Sequence, residues 1–238
     1  MIMNKILKDF LSDLYNNAVI LNHENIFNLF REKQDAKFLD LGCDDGSFTL
    51  NMAKYIRTND IFGVDIVDER IDIAKSRGII VKKFDLNNKF EFDDNFFDVV
   101  SANQVIEHIY NSDNFISEIY RILKVGGYAI ISTENASSWC NIFASIMGWQ
   151  IFSLTNFSNK KLGIGNPFAL HRDNSSMNFD SWAHVRIYNI RGLKEYFELF
   201  GFEVVKISGA GYFPLPSCLG KMDIIHSHFI TFKIQKIR

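Results

Sequence analysis

The sequence predicts an α/β domain, a doubly wound and largely parallel sheet with helices on both faces. Three observations carry this expectation. Phe38, Leu39 and Leu41 form a short apolar run that stops at Gly42, and a helical pattern opens after Gly46: a strand, a glycine turn and a helix. Short strand-like runs (61–65, 79–81, 96–102 and 128–133) then alternate with helical patterns. Finally, Leu123-Lys124-Val125-Gly126-Gly127 ends one helical pattern with paired glycines, which permit a tight reversal into a strand.

The totals bound the rest. At 238 residues, 47% hydrophobic and 23% charged, the chain has the size and balance of one globular domain. Its formal charge of −2 gives no global pull towards nucleic acid or an anionic membrane. Three cysteines, far apart and without a C-x-x-C pair, support neither a zinc site nor a disulfide framework. Lys5, Lys8, Asp9 and Asp13 interrupt any leader-like apolar stretch, and no run approaches the roughly 18–20 apolar residues of a spanning helix. A cytoplasmic protein without stable membrane insertion is expected.

Taken in order, residues 3–31 place Ile6, Leu7, Phe10, Leu14, Ile20, Leu21, Ile26, Phe27 and Phe30 at mostly helical spacing, for one or two amphipathic helices. The first strand and its glycine turn carry three carboxylates, Asp40, Asp44 and Asp45. A dinucleotide fingerprint would need glycine at 42, 44 and 47, where Asp44 and Ser47 stand, and the carboxylates would repel a pyrophosphate. S-adenosylmethionine, with an ammonium, a sulfonium and no phosphate, suits such a bend better. Asp45 or Ser47 can also simply cap the helix that follows. The second strand ends at Asp65, about twenty residues past the glycine turn, where a carboxylate can accept both hydroxyls of a ribose; the plain alternative is a strand-terminating Asp. Asp68 is placed as the cap of a helix stopping at Gly78, and the third strand runs from Ile79 towards Phe84-Asp85-Leu86. Phe96-Phe97-Asp98-Val99-Val100 reads as the fourth strand. Asn111 or Ser112 opens a helix with Phe115, Ile119, Ile122 and Leu123 on its buried face.

These residues carry a resemblance. Asp40-Leu41-Gly42-Cys43-Asp44-Asp45-Gly46 resembles motif I of the class I S-adenosylmethionine-dependent methyltransferases, with Asp44 in place of the middle glycine. Phe97-Asp98-Val99-Val100, then Val105-Ile106-Glu107-His108, then Leu123-Lys124-Val125-Gly126-Gly127 are similar to further family stretches in the same order, Val125 replacing a proline. The resemblance implies a Rossmann-like seven-stranded sheet of order 3-2-1-4-5-7-6 with an antiparallel last strand. It implies that Asp40, Gly42, Cys43, Asp44 and Gly46 form the cofactor bend and that Asp65 and Ile66 meet the ribose. Asp85 and Leu86 would meet the adenine, and Asn103 and Gln104 the methionine portion. His108 becomes a candidate base, against the alternative that Glu107 and His108 fix their loop. In ubiquinone-pathway O-methyltransferases a similar stretch begins with a metal-ligating Glu; Gln104 stands there, so no metal is expected.

From 134 to 190 the pattern loosens beyond an ordinary connection and reads as a lid or acceptor-binding insertion. The remaining divisions are an N-terminal helical segment (1–34), the cofactor-binding core (37–133) and the end of the sheet (191–238). An apolar helix from Trp139 to Trp149 opens the insertion, with a membrane contact or a homodimer face as its alternatives. His171, Arg172, Trp182, His184, Arg186 and Tyr188 follow, a mixture of rings and cations that suits a small aromatic, sugar or acidic acceptor. Trp139, His171, Arg186 and Tyr188 are the substrate-binding candidates. His184-Val185-Arg186-Ile187-Tyr188 resembles an H-x-R-x-[FY] family segment, which ranks His184 beside His108 as a base. Leu193, Tyr196, Phe197 and Phe200 form the last helix face, followed by strands at 202–207 and about 225–234. The expected activity is methyl transfer to an O, N or C nucleophile of a small molecule, without nucleic acid. A non-catalytic cofactor-binding protein, a methyltransferase acting on protein or RNA, and a nicotinamide-dependent oxidoreductase are the rivals.

Overall fold

The computed structural model describes residues 5–158, 160–170 and 183–238. Seven strands form one mixed sheet in the order β3-β2-β1-β4-β5-β7-β6, the order expected. They are β1 (Phe38–Leu41), β2 (Ile61–Asp65), β3 (Ile80–Lys83), β4 (Phe97–Asn103), β5 (Leu123–Glu134), β6 (Phe202–Ala210) and β7 (Phe229–Lys236). The helices are α1 (Lys5–Phe27), α2 (Ser47–Ile56), α3 (Asp68–Ser76), α4 (Ser112–Ile122), α5 (Trp139–Ile146) and α6 (Ile190–Leu199).

By its contacts the chain divides into two compact units. A core unit comprises Ile26–Ser132, Lys194–Ile207 and Phe232–Arg238; a second unit comprises Met1–Asn25, Thr133–Leu193 and Ser208–Thr231.

In the core unit β1 is paired in parallel with β2 on one side and β4 on the other. All four of its residues are buried, which is why it reads as an apolar run rather than an alternating one. The core gathers Ile26, Phe38, Met52, Ile56, Ile71, Ala74, Ile79 and Val99 around it. β2 also pairs in parallel with β3, and β4 with β5. The ends of β1, β2, β3 and β4 therefore lie along one edge of the sheet, where ligands bind in open α/β folds.

Element boundaries depart from the expectation in a few places, each for a local reason. Asp68 is the first residue of α3 rather than its cap, and its carboxylate takes Lys83 Nζ at 2.6 Å. β5 already begins at Leu123, because the Gly126-Gly127 pair lies inside the strand; Gly126 has φ +82°, and the ladder with β4 shifts register between Phe97 and Val99. A Cβ at position 127 would lie 2.9 Å from Lys124 O and 3.0 Å from Asp98 O, so the reversal needs glycine there. α5 stops at Ile146, just before the left-handed Gly148. A short 3-10 turn at Ile224–His226 delays β7 to Phe229. In α4 the structure decides between the two expected starts: Asn111 is the cap, its side chain accepting the Asn114 amide, and Ser112 is the first helical residue.

Candidate functional site

The bend after β1 is built to bring backbone close to a ligand. Gly42 (φ +74°) and Gly46 (φ +77°) lie in the left-handed region, and neither position has room for a side chain. A Cβ at Gly42 would sit 2.7 Å from Val105 Cγ2, and one at Gly46 would sit 2.5 Å from Ile79 Cδ1. Asp44, standing where a glycine is usual in motif I, adopts φ +46°. Aspartate tolerates this conformation better than most residues, so the substitution keeps the turn.

Asp65, at the end of β2, ties this bend together. Its Oδ2 accepts the Asp44 amide at 2.9 Å, and its Oδ1 accepts the amides of Ile66 (2.8 Å) and Val67 (3.0 Å). A carboxylate offers about four lone-pair sites, so capacity remains for an external hydroxyl. Ile66 itself is 48% exposed beside it.

The other carboxylates are less uniformly turned to the ligand than their spacing suggests. Asp40 points inward, 3% exposed, and accepts the Thr49 hydroxyl at 2.6 Å. Burial pushes its pKa up to about 7 against the hydrogen bonds from Thr49 and Ser101, and nearby Asp65 adds to the rise. Gly46, not Asp45 or Ser47, holds the cap position of α2. Asp45, one residue earlier, accepts the Ser47 amide at 2.9 Å and pairs with Arg77 at 2.9 Å, and the hydrogen bonds from Ser47 hold its carboxyl below the usual range. Asp44 pairs with Arg70 at 3.2 Å in an exposed setting, where such a pair is worth little. Cys43 is buried, its Sγ 2.7 Å from where a Cβ at Gly63 would stand. Burial raises its thiol pKa, with Asp40 and Asp65 adding to the effect, so it packs rather than reacts.

Beyond β3, Asp85 Oδ1 holds Asn87 through both its amide (2.9 Å) and its side chain (2.8 Å). Asn87 Oδ1 in turn accepts the amides of Tyr110 (2.8 Å) and Asn111 (3.0 Å). The loop carrying Asp85 and the half-buried Leu86 is thereby joined to the loop that carries Glu107 and His108. At the end of β4, Asn103 is followed by Gln104 in the left-handed region (φ +55°), its amide bonded to Ser132 O at 2.8 Å. Gln104 Nε2 is buried and has no hydrogen-bond partner among the described residues. A strained backbone that presents an unsatisfied donor at a strand end is a pattern of binding sites. The fit to an amino-acid-bearing nucleoside is therefore good: an acceptor-hungry amide, a carboxylate with spare capacity, and a bend bounded by two glycines that admit no side chain.

A family model described as a methyltransferase domain matches residues 15–207. The chain belongs to this methyltransferase family. S-adenosylmethionine is the methyl donor of such domains, and the Rossmann-like fold seen here is theirs. An uncharacterized methyltransferase of Schizosaccharomyces pombe is 30% identical over 120 residues, covering 45% of this chain and 43% of that protein. The mitochondrial ubiquinone biosynthesis O-methyltransferase of Rattus norvegicus is 30% identical over 128 residues, 48% of this chain and 35% of its own length. The chain thus spans less than half the length of these curated relatives. Among solved structures, an S-adenosylmethionine-dependent methyltransferase from Thermotoga maritima matches with a TM-score of 0.62 over 97% of this chain and 98% of its own, at 19% identity, which is a likeness of fold.

The described acceptor candidates fall in the second unit, while His108 and all the cofactor candidates fall in the core unit. His108 is half-buried in a short 3-10 turn, its amide bonded to Val105 O at 2.9 Å. His184 is half-buried with Nδ1 2.6 Å from Ser153 O, and Tyr188 forms an isolated bridge with Asn135. Arg186 is half-buried between them in sequence. His171 lies outside the described residues, as do Arg172 and Trp182. Trp139 opens α5 and is 41% exposed; its Nε1 donates to Tyr212 Oη at 2.8 Å, and it stacks on His226 with centroids 4.5 Å apart. Tyr212 and His226 both bond Asp223 Oδ2, at 2.6 Å and 2.8 Å. Sequence reading missed this Trp139–Tyr212–His226–Asp223 cluster, since Trp139 stands far along the chain from the other three with no motif between them. Among the described residues no helix is long and apolar enough to cross a membrane.

Proposed function

We propose that this protein transfers the methyl group of S-adenosylmethionine to an oxygen of a small-molecule acceptor. The observation that carries the cofactor half of this reading is Gln104, a left-handed residue whose buried carboxamide donor lacks a partner among the described residues. In this reading Gln104 and Asn103 take the amino-acid end of the cofactor and Asp65 the ribose. Asp85 and Leu86 border the adenine, and the bend from Gly42 to Gly46 lies against the nucleoside. Asp40 acts from behind, as a positioning residue that fixes α2 against β1 through Thr49.

The bound cofactor supplies an activated methyl and its own leaving group. What the chain adds is orientation of the acceptor, exclusion of water and custody of one proton. His108 and His184 are the candidates to hold that proton, with neutral imidazole accepting it from the acceptor hydroxyl as the oxygen takes the methyl. Trp139, Arg186 and Tyr188 are proposed as acceptor contacts within a lid formed by 134–190. Oxygen is favoured over nitrogen or carbon because the curated relatives that match include ubiquinone biosynthesis O-methyltransferases.

The test is a screen of phenols and alcohols with isotopically labelled S-adenosylmethionine, on wild type and on Gln104→Leu. Label should appear on at least one hydroxyl compound, and Gln104→Leu should weaken cofactor binding about tenfold, the value of one buried hydrogen bond. Label confined to amines, protein or RNA would contradict the acceptor assignment.

A further inference from the structure

In the second unit, His228 Nε2 and Glu134 Oε2 are buried and have no hydrogen-bond partner among the described residues. Glu134 is the last residue of β5, and His228 immediately precedes β7. The two meet through the backbone: the amide of Asn135, next to Glu134, donates to His228 O at 2.9 Å.

The His228 side chain is held in place from several sides. It is 9% exposed, and its Nδ1 lies 3.4 Å from Cys140 Sγ, which is itself 3.2 Å from Ser138 Oγ. The His228 amide donates to Gly211 O at 2.9 Å. A Cβ on Gly211 would come within 2.9 Å of His228 Cβ and 2.6 Å of Ala18 Cβ, so the chain behind the ring is packed to contact. The rings of Tyr15 and Phe229 stand edge-on to it, at centroid distances of 5.8 Å and 4.6 Å. With one nitrogen engaged and the ring wedged, Nε2 has no second orientation in which to find a partner.

Leaving such groups unpaired costs stability, and a fold that keeps them calls for a water or an outside molecule to complete the site. A carboxylate oxygen accepts, and an imidazole nitrogen donates once the ring is charged. Burial works against that charge, but Cys140 and Glu134 outweigh it and push the His228 pKa up to about 9. A second carboxylate would be repelled by Glu134, and an ammonium by the charged ring. A hydroxyl answers both groups, donating to one and accepting from the other.

We propose that Glu134 and His228 form a hydroxyl-binding subsite that selects the acceptor by an alcohol or phenol group. The assignment rests on the small-molecule acceptor proposed above, and its test is therefore read as binding, without the methyl donor. The experiment follows the His228 ring nitrogens by NMR in the full chain, with phenol as the probe and toluene as the ring without a hydroxyl. Phenol should move the Nε2 resonance saturably and toluene should not. Glu134→Gln, nearly isosteric, should weaken phenol at least fivefold while leaving S-adenosylmethionine affinity unchanged. Equal responses to phenol and toluene would overturn the subsite. So would a ring that neither compound moves, the sign of groups satisfied by a trapped water alone, and so would phenol affinity unaltered in Glu134→Gln. Phenol binding intact in a protein that transfers no methyl group would instead count against the enzymatic reading and leave the subsite standing.

Discussion

Single residues carry the sharpest predictions, because several do two jobs. Asp65 both closes the glycine bend and, in the proposed reading, holds the ribose. Asp65→Ala should raise the calorimetric dissociation constant for S-adenosylmethionine by about thirtyfold or more, roughly 2 kcal/mol; an unchanged constant would remove Asp65 from the site. Gly42→Ala meets both a positive φ and a contact of 2.7 Å with Val105. It should cost about 1–3 kcal/mol and lower the melting temperature by several degrees. Gly78→Ala, with φ +87° but nothing within 4 Å, bears only the backbone strain and should cost about 1 kcal/mol. A Gly78 variant melting below the Gly42 variant would contradict this ordering. Asp40 gives a pH signature. Its folded pKa of about 7 lies above the ordinary 3.8, so the folded state binds its proton more tightly than the unfolded chain does. Its contribution to stability is full below about pH 3.8 and is lost as pH rises towards 7. Across that window the melting temperature of Asp40→Asn should fall less steeply than that of wild type; parallel curves would show that Asp40 ionises freely in the fold.

Between elements, long-range polar ties do what the sequence pattern leaves unsaid. Asp98, read from the sequence as one letter of an F-D-x-V stretch, is a junction: its carboxylate takes Lys33 at 2.5 Å, Lys124 at 2.7 Å and the Lys37 amide at 3.0 Å. It thus fastens the start of β4 to the segment before β1 and to the start of β5. Burial opposes its charge, yet the bonds from Lys124 and Lys33 prevail and hold its carboxyl below the usual range. Its stabilisation is therefore present at neutral pH and lost as pH falls below the ordinary carboxylate range. Both lysines retain solvent, 58% and 39% exposed, so Asp98→Ala should cost about 2–3 kcal/mol rather than the full loss of a buried pair. Chemical denaturation checks this, and a change under 1 kcal/mol would mean the junction is ornamental. The phenylalanines show the same gap in legibility. Phe62, Phe92, Phe96 and Phe97 meet edge to face at 4.9–6.4 Å beside β2 and β4, and Lys37 lies 4.4 Å from the Phe96 ring centroid. Periodicity announces that a strand or helix exists, because one face must be apolar. It says nothing of which distant rings or charges will meet.

At the scale of the whole molecule, the positions of the glycine bend and its neighbouring strand ends were legible, because short-range rules govern them: apolar runs, glycines at a turn, and an acid at a strand end. The sheet order came from the family resemblance, since periodicity does not say which strands will pair. The sense of the charges was less so. Spacing alone put three carboxylates around the ligand, whereas the structure buries Asp40 and pairs Asp44 and Asp45 with Arg70 and Arg77 of the α3 region. Those arginines stand some thirty residues away, where no motif connects them to the loop. What survives is a bend whose two glycines admit no side chain, a carboxylate with spare acceptor capacity and an amide without a partner among the described residues, and these favour an amino-acid-bearing nucleoside over a pyrophosphate. The most direct test is calorimetric titration of the full chain with S-adenosylmethionine, with NAD titrated in parallel, on wild type and Asp65→Ala. The account predicts saturable one-to-one binding of S-adenosylmethionine that is strongly weakened in the variant, and no heat from NAD. Binding of NAD instead, or S-adenosylmethionine binding indifferent to Asp65, would contradict it.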